Sequence, residues 1–241
     1  MVCYQVPATL GKTPQGIRQK APRATIKKSA SSPEVTTYSY LVARDWGFAP
    51  NPFFGYCTIA CCKPTIRRVA KEGDLIIGTG TKSKGRSGQL IFAMRVTEKI
   101  SFEEYWEDPR FFRKRPIMHK SRMLKYGDNI YRPDGNGGFT QLFSHHSLFD
   151  GSTNHFNREK DTGSNNVLIS DEFVYFGERG PIIPDHLRDF DGVDICAPTQ
   201  GHISNKISKD MEDATIEWLE TMGWTGFSGR PSNWSKSLDK P

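Results

Sequence analysis

The amino-acid sequence predicts an α+β protein, and three segments carry that prediction. Residues 74–80 and 89–100 are apolar runs on either side of a Gly, Lys and Ser loop at 81–88, which is the pattern of a β-hairpin. Residues 165–177 indicate one or two further strands around a turn. Residues 208–222 place Met, Ile, Trp and Leu at helical spacing and are followed by glycine, which indicates an amphipathic helix.

The elements between these segments are predicted to be short. Residues 36–43 are β-branched and aromatic, which favours a strand, and residues 57–62 favour a short strand or a turn. Pro64 suits the first turn of a short helix. Ser101 can cap another short helix, because a glutamate follows it at the capping-box spacing. Residues 107–166 are rich in polar and turn residues, and the sequence assigns no regular element there.

Composition divides the chain into three parts. Residues 1–35 contain four prolines, six basic side chains and one acidic side chain, with little hydrophobic periodicity, so we expect a flexible basic arm. Residues 36–225 are expected to form the folded domain, and residues 226–241 a tail. A basic arm can strengthen nucleic-acid binding by neutralising phosphates, and a leader segment is an equally good interpretation.

The whole-chain composition excludes several classes of protein. No stretch approaches the roughly 18 apolar residues that a membrane span requires, and the first residues lack the apolar centre of a signal peptide. The five cysteines are odd in number and lack the spacing of a disulfide framework. We therefore expect a cytoplasmic protein with free thiols and no membrane partner.

Charge is distributed unevenly around a net value of +6. Residues 63–95 and 110–132 each carry eight basic side chains against two and one acidic side chains, whereas residues 169–220 carry twelve acidic against four basic. A surface polarised in this way favours a polyanionic partner, so DNA, RNA or a free nucleotide is expected. Ordinary solvated faces are the alternative.

The loop at residues 44–56 is a candidate site for a base. Aromatic side chains provide flat faces on which bases stack, and an Asn side chain offers both a donor and an acceptor to a base edge. The alternative is that the aromatic side chains pack into the core, which we expect of Phe53 and Phe54. The candidate binding residues of this loop are Asp45, Trp46, Phe48 and Asn51.

The hairpin loop GTKSKGRS, residues 80–87, nearly matches a phosphate-binding loop, with Arg86 in the place of the lysine. That mechanism requires a helix after the loop, and a strand is predicted there instead. A basic hairpin tip near a phosphate is the better functional interpretation, and a plain solvent-exposed turn is the alternative. Its candidate phosphate ligands are Lys82, Lys84 and Arg86.

Residues 144–166 are dense in His, Asn, Asp, Arg and Ser, which indicates either a mobile loop or the lining of a polar site. His145, His155 and Asp161 are the candidate catalytic acid/base groups, because imidazole changes protonation near neutral pH. Arg158 is a further candidate phosphate ligand.

Two other possibilities, a zinc site and a nucleophilic pair, are raised by the histidines and cysteines of the chain: His145, His146 and His155, with Cys57, Cys61 and Cys62. Neither residue type has the spacing of a metal site, so we expect no metal and no cofactor. A Cys–His nucleophilic pair would need contact between the two side chains and a third group that orients the base, which sequence alone cannot show.

Residues 72–106, EGDLIIGTGTKSKGRSGQLIFAMRVTEKISFEEYW, resemble the central unit of PUA-like domains, the group that includes EVE and ASCH domains. Together with YSYLVARDWGFAPNPFFGYCTIACCKPTIR and the later VLISDEFVYFG and PIIP, they resemble the nucleotide modification associated domain 2 family over roughly residues 38–184. That family is associated with phage and bacterial systems that modify DNA bases. The resemblance implies a PUA-like mixed β-barrel with flanking short helices and long loops.

PUA-like domains generally hold a base in the cleft beside the hairpin. The resemblance implies that this cleft is lined by Trp46, Asn51, Gly78, Thr79, Gly80 and Lys82. We therefore expect a domain that binds a nucleotide or nucleic acid and recognises a base, modified or not, between loop 44–56 and hairpin 78–88. An enzyme that modifies a nucleotide or DNA base with loop 144–166 is the alternative, and an interaction domain whose basic arm binds an acidic partner is a third possibility.

Overall fold

The computed structural model describes residues 35–199 and 201–235. Apart from Val35, the predicted basic arm lies outside the described residues, as does the end of the predicted tail. In the described part of the chain, no helix is long and apolar enough to cross a membrane.

The strands and α-helices are short. In chain order the strands are β1 (Thr37–Val42), β2 (Cys57–Ile59), β3 (Leu75–Gly80), β4 (Leu90–Arg95), β5 (Glu98–Ser101), β6 (Tyr131–Pro133), β7 (Phe139–Gln141), β8 (Asn166–Ser170), β9 (Phe173–Tyr175), β10 (His202–Ile203) and β11 (Gly226–Phe227). The α-helices are α1 (Pro64–Val69), α2 (Phe102–Glu107), α3 (Arg122–Lys125), α4 (His155–Thr162), α5 (Asp185–Arg188) and α6 (Lys209–Met222).

Two sheets form the framework. The larger has six strands in the order β10-β1-β3-β4-β9-β11, and the smaller has three in the order β2-β8-β5. Strands β1 and β3 are parallel, so their last residues, Val42 and Gly80, pair at the same edge of the larger sheet. Neither sheet closes on itself within the described residues. The α+β class is therefore confirmed, and the closed PUA-like barrel is not found.

The core lies on both faces of the larger sheet. On one face, Tyr40 of β1 and Phe92 of β4 pack against Ile59 of β2 and Leu168 of β8, which joins the two sheets. On the other face, α6 contributes Met211 to a second cluster. Burial of each such apolar side chain stabilises the fold by roughly 1.5–3 kcal/mol, so this packing holds both sheets and helix together.

The local predictions that rest on a specific pattern are confirmed. Strands β3 and β4 form the predicted antiparallel hairpin, although residues 89–100 divide into two strands, β4 and β5. The capping box is present, with the Ser101 hydroxyl accepting from the Glu104 amide at 3.1 Å and the Glu104 carboxylate accepting from the Ser101 amide at 2.7 Å. Helix α6 begins after Ser208, whose side chain caps it.

The stretch of residues 107–166, to which the sequence assigns no regular element, contains regular structure. It includes α3, the hairpin β6–β7 and α4. Helix α4 lies inside the polar segment 144–166 and is capped by Asn154, whose side-chain oxygen accepts from the Asn157 amide at 3.1 Å. This helix carries one of the residues that define the site described next.

Candidate active site

Cys62 lies on the tight turn between β2 and α1. Its φ is 58° and that of the next residue, Lys63, is 41°, so two consecutive side-chain-bearing residues adopt the left-handed conformation. Such residues cost about 1–3 kcal/mol each and persist where the surrounding structure fixes them, which is common at active sites. A reactive side chain on a strained strand-to-helix turn is also the arrangement of the nucleophile elbow.

Buried partners fix the conformation of this turn. The Cys62 amide donates to Asp161 Oδ1 at 2.7 Å, and the Cys62 carbonyl accepts from Arg67 Nε at 2.9 Å. Arg67 is fully buried and also donates to the carbonyls of Asp161, Ser164 and Asn166. Arg67 therefore joins the turn to the end of α4 and the start of β8.

His146 connects Cys62 to Asp161. Its Nε2 lies 3.7 Å from Cys62 Sγ, and its Nδ1 lies 2.7 Å from Asp161 Oδ2. The ring packs on Phe48 with 4.5 Å between centroids, and the His146 carbonyl accepts from Asn157 Nδ2 at 2.9 Å. The thiol of Cys62, the imidazole of His146 and the carboxylate of Asp161 therefore contact one another in that order, which is the geometry of a Cys-His-Asp triad.

Asp161 is held so that it remains ionised. It is fully buried on α4, and Tyr131 donates its hydroxyl to Oδ2 at 2.8 Å. Burial by itself raises the pKa of this carboxyl, but the hydrogen bonds from His146, the Cys62 amide and Tyr131 outweigh it and lower the pKa below the usual value. A carboxylate in this position keeps the proton of His146 on Nδ1 and leaves Nε2 facing the sulfur.

Burial and hydrogen bonding act on the pKa of the His146 imidazole in opposite directions. Burial lowers the pKa of His146, but hydrogen bonds to Asp161 and Cys62 raise it by more, to about 9. An imidazolium beside a cysteine is the usual arrangement that makes sulfur nucleophilic, because the thiolate is the reactive form.

Cys61, His146 and Asp161 also place possible metal-ligating atoms within 4.8 Å of one another. The 2.7 Å between His146 Nδ1 and Asp161 Oδ2 is a hydrogen-bond distance, shorter than the ~3.3 Å between two ligands of a tetrahedral zinc site. Cys61 is fully buried, burial raises the pKa of its thiol, and its Sγ contacts the Asp128 carbonyl at 3.5 Å. The group is arranged for proton transfer and does not fit a metal.

A cavity of about 610 Å³ opens beside Cys62. Its walls are the end of β1 and residues 41–44, the turn with the start of α1, Lys160 of α4 and His202 of β10. Arg44, Lys63, Lys160 and His202 line it without any acidic side chain. The Lys63 ammonium lies 4.1 Å from the centroid of the Tyr40 ring, and burial lowers the Lys63 pKa to about 8. The cavity therefore suits an anionic ligand.

A family model described as nucleotide modification associated domain 2 matches residues 34–238. The chain belongs to this family. No curated protein and no solved structure matches the chain. The family description associates the nucleotide modification associated domain with nucleotide modification and names neither a reaction nor a substrate.

In this nucleotide modification associated domain, the candidate residues of loop 44–56 are held by other parts of the protein. Asp45 is buried and accepts from the Tyr175 hydroxyl and from the Ser232 amide at 2.8 Å. Asn51 is fully buried, donates to the Tyr126 carbonyl at 2.9 Å and accepts from Lys114 at 2.7 Å. These contacts tie the loop to its neighbours.

The two aromatic candidates of the loop lie near the triad. Trp46 stacks on Tyr126 with 5.2 Å between ring centroids. Phe48 is buried. In the structure, Trp46 packs on His145, and Phe48 packs on both His145 and His146. Their role in base stacking stays a prediction.

The hairpin candidates divide into buried and exposed residues. Gly78 and Thr79 are buried, and a Cβ at Gly78 would lie 2.1 Å from the Phe92 ring, so the chain approaches itself closely there. Lys82 and Lys84 are exposed at the tip, and Gly80 and Lys82 line a second cavity rather than the one beside Cys62. Arg86 donates to Ser232 Oγ at 2.6 Å.

The three predicted catalytic residues do not converge. Asp161 is in the triad, but His145 lies among Trp46, Phe48 and Tyr126, and its ring is 6.0 Å from that of His146. His155 is exposed and pairs with Arg158 at 3.2 Å. The partner of Asp161 is therefore His146, which the sequence indicates only as one of several histidines without the spacing of a metal site.

The sequence indicates Cys62 only as one of three cysteines that could bind a metal or belong to a Cys–His pair. Its position after a predicted strand and directly before a helix that Pro64 could open was the available signal, because such turns expose a nucleophile. The contact with His146 spans 84 residues of sequence, so no local spacing could reveal it.

Proposed function

We propose that this protein is a thiol-dependent enzyme of nucleotide modification, with Cys62 as the nucleophile. The observation that carries the proposal is the chain of contacts from Cys62 to His146 to Asp161, in which Cys62 lines a basic cavity. Membership of the nucleotide modification associated family supports a nucleotide as the class of substrate. The basic lining supports a substrate that carries phosphate.

In the proposed mechanism, Cys62 Sγ attacks an electrophilic carbon of the base or of a group attached to it. The imidazolium of His146 donates its Nε2 proton to the atom that leaves that carbon, which releases the first product. Neutral His146 then takes a proton from the water that attacks the carbon bound to sulfur. The bond between carbon and Cys62 Sγ breaks, which releases the second product and restores the Cys62 thiolate beside the imidazolium. Asp161 accepts the Nδ1 proton in a hydrogen bond throughout and keeps the ring oriented.

The proposed roles of the cavity lysines follow from their charge and position. Lys63 is adjacent to Cys62 in the chain, and Lys160 is adjacent to Asp161, so both basic side chains flank the triad. We assign them to the substrate phosphate. A nucleotide bound this way would have its reacting carbon directed to Cys62.

The experiment that tests this function measures alkylation of each cysteine by iodoacetamide with peptide mapping. Cys62 is expected to react at least tenfold faster than the buried Cys57, Cys61 and Cys196, and His146→Gln is expected to remove most of that advantage. A nucleotide mixture should protect Cys62 in the wild-type protein. Equal reactivity of Cys62 in wild-type protein and His146→Gln would overturn the proposal.

Turnover provides the second measurement. Nucleotides and oligonucleotides carrying modified bases would be incubated with wild-type protein, with Cys62→Ser and with His145→Gln as matched control. Cys62→Ser is expected to abolish product formation, because a hydroxyl is a far weaker nucleophile beside imidazole than a thiol. His145→Gln should retain most activity, since His145 does not contact Cys62 in the triad.

Recognition of a base without chemistry is a second candidate, favoured by Arg44, Lys63 and Lys160 on a cavity without acidic lining. In that case Cys62→Ser binds nucleotide as tightly as the wild type, and neither protein forms product. The base cleft between loop 44–56 and hairpin 78–88, with a PUA-like mode of binding, belongs to this candidate.

A further inference from the structure

A second cavity of about 400 Å³ lies next to the first. Its wall includes the base of the β3–β4 hairpin, the segment after α5 and the residues after β10. Three basic side chains, Lys82, Arg188 and Lys206, line it together with one acidic side chain, Asp194. It is therefore also suited to an anion, and it is not part of the triad site.

The two cavities adjoin at the edge of the larger sheet. Leu41 of β1 lines both, and the two residues of β10 divide between them, with His202 in the first cavity and Ile203 in the second. Successive residues of a strand face opposite sides of a sheet, so the two cavities lie on opposite faces of β10, and a ligand that occupied both would pass around the sheet edge at Leu41.

The second cavity has fixed and movable charges. Arg188 is held by two hydrogen bonds to Asp194, at 2.8 and 2.9 Å, which fixes its guanidinium and offsets its charge. A Cβ at Gly88 would lie 2.1 Å from Arg188 Nη1, so the hairpin approaches this guanidinium closely. Lys82 and Lys206 are exposed at the rim and supply the net positive charge that a phosphate would meet.

We infer that the substrate is a nucleic-acid strand that occupies both cavities. The inference rests on the proposed function: the reacting nucleotide lies beside Cys62, and the strand passes Leu41 so that a neighbouring phosphate lies between Lys82 and Lys206. Each cavity is within the range of roughly 300–1,000 Å³ that single small ligands occupy, so one nucleotide needs only the first. Two adjoining basic cavities match the repeating negative charge of a strand.

The test measures how affinity depends on strand length. Full-length Cys62→Ser would be titrated with a mononucleotide and with labelled DNA and RNA oligonucleotides of two, four and eight nucleotides. Affinity is expected to rise at least tenfold between the mononucleotide and four nucleotides for DNA, RNA or both. An equal affinity for the mononucleotide and for eight nucleotides of both kinds would overturn the inference.

Charge reversal tests whether the second cavity causes the rise in affinity with strand length. Lys82→Glu combined with Lys206→Glu is expected to weaken oligonucleotide binding about tenfold, to reduce the slope of log K against log salt by roughly 1.4 for two contacts, and to leave mononucleotide binding unchanged. Lys84→Glu is the matched control, because Lys84 is exposed on the same hairpin tip and lines neither cavity. An equal loss in Lys84→Glu would show general attraction only and would overturn the inference.

The outcome is separable from that of the proposed function. Cys62 alkylation in the Lys82→Glu, Lys206→Glu protein, which retains Cys62, should match the wild type. If Cys62 alkylation depends on His146 but affinity does not depend on strand length, the inference of a nucleic-acid strand is rejected and the proposed function is retained. Loss of the His146 dependence rejects the proposed function, whatever the length dependence of binding.

Discussion

Asp128 and Asp161 are both fully buried, and both contact the segment around β2. Their surroundings nevertheless shift the pKa values of the two carboxyl groups in opposite directions. Asp128 accepts from the hydroxyls of Thr58 and Tyr105, at 2.7 and 2.8 Å, and burial raises its pKa despite the nearby Lys114. Asp161 accepts from His146, and its pKa is lowered. The Asp161 cluster differs in a second way, because Asp161 also accepts from the amide of Cys62, and Cys62 lines a cavity.

The enclosed cluster around Asp128 is complete by itself. Lys114 is fully buried and donates to the Asn51 carbonyl, the Asn51 side chain and the Tyr56 carbonyl at 2.7–3.0 Å. Its three donors are therefore used, and burial lowers its pKa to about 8. We expect this cluster to act on stability and the Asp161 cluster to act on chemistry.

The largest expected effect is that of Asp161→Asn on turnover. An amide would favour the wrong tautomer of His146, and in a comparable triad this change costs roughly 10⁴ in rate. We expect a fall in turnover of about 10³–10⁴ with Cys62 alkylation slowed in the same direction. Asp128→Asn is the comparison: a similar loss of Cys62 reactivity in its folded fraction would remove the distinction between the two carboxylates.

The next effect is that of Lys114→Met on stability. The substitution leaves three buried acceptors without their donor and Asp128 without its nearby cation, so we expect a loss of roughly 3–5 kcal/mol in the free energy of unfolding. Urea denaturation measures it. Lys82→Met, at an exposed position, should change stability by less than about 0.5 kcal/mol, and Cys62 alkylation should be normal in both folded proteins. Equal stability of the two variants would contradict a structural role for Lys114.

Much of the fold could be predicted because its signals are local. The β3–β4 hairpin, the Ser101 capping box and α6 each depend on residues within one short segment, and all three are confirmed. The closed barrel was expected only from the resemblance to PUA-like domains. Within the described residues, the sheets do not close on themselves.

The site was harder to predict because it depends on distant contacts. The polarity of its segment indicates Asp161 as a candidate, and its partner in the structure is His146 rather than His145. These two histidines are adjacent in the chain, and only the fold determines which of them faces Asp161. The sequence indicates Asn51 as a residue that could hydrogen-bond to a base. In the structure, Asn51 is fully buried and accepts from Lys114 in the enclosed cluster. A buried polar network and a binding site use the same residue types, so composition does not separate them.

The pH dependence of stability provides a smaller effect that also separates the clusters. His146 has a pKa of about 9 in the folded protein, above its ordinary value near 6.5. Its contribution, at most about 3 kcal/mol, is fully present below pH ~6.5 and is lost as the pH rises through 9. Denaturation between pH 6 and 10 measures it, and His146→Gln should remove this loss of stability at high pH relative to the wild type. An unchanged curve in that variant would contradict the His146–Asp161 pairing.

The smallest effect compares two buried tyrosines. Tyr131 donates to Asp161 at 2.8 Å, whereas the Tyr40 hydroxyl is buried without a hydrogen-bond partner within the described residues. Removing a bond to a charged group costs about 1.5–3 kcal/mol, and removing an unpaired buried hydroxyl costs nothing or stabilises. We therefore expect Tyr131→Phe to lower the free energy of unfolding by about 2 kcal/mol, and Tyr40→Phe to leave it unchanged or raise it by about 1 kcal/mol. Equal losses in urea denaturation would show that the Asp161 cluster gains nothing from the hydroxyl, and Asp161 would then depend on His146 and the Cys62 amide alone.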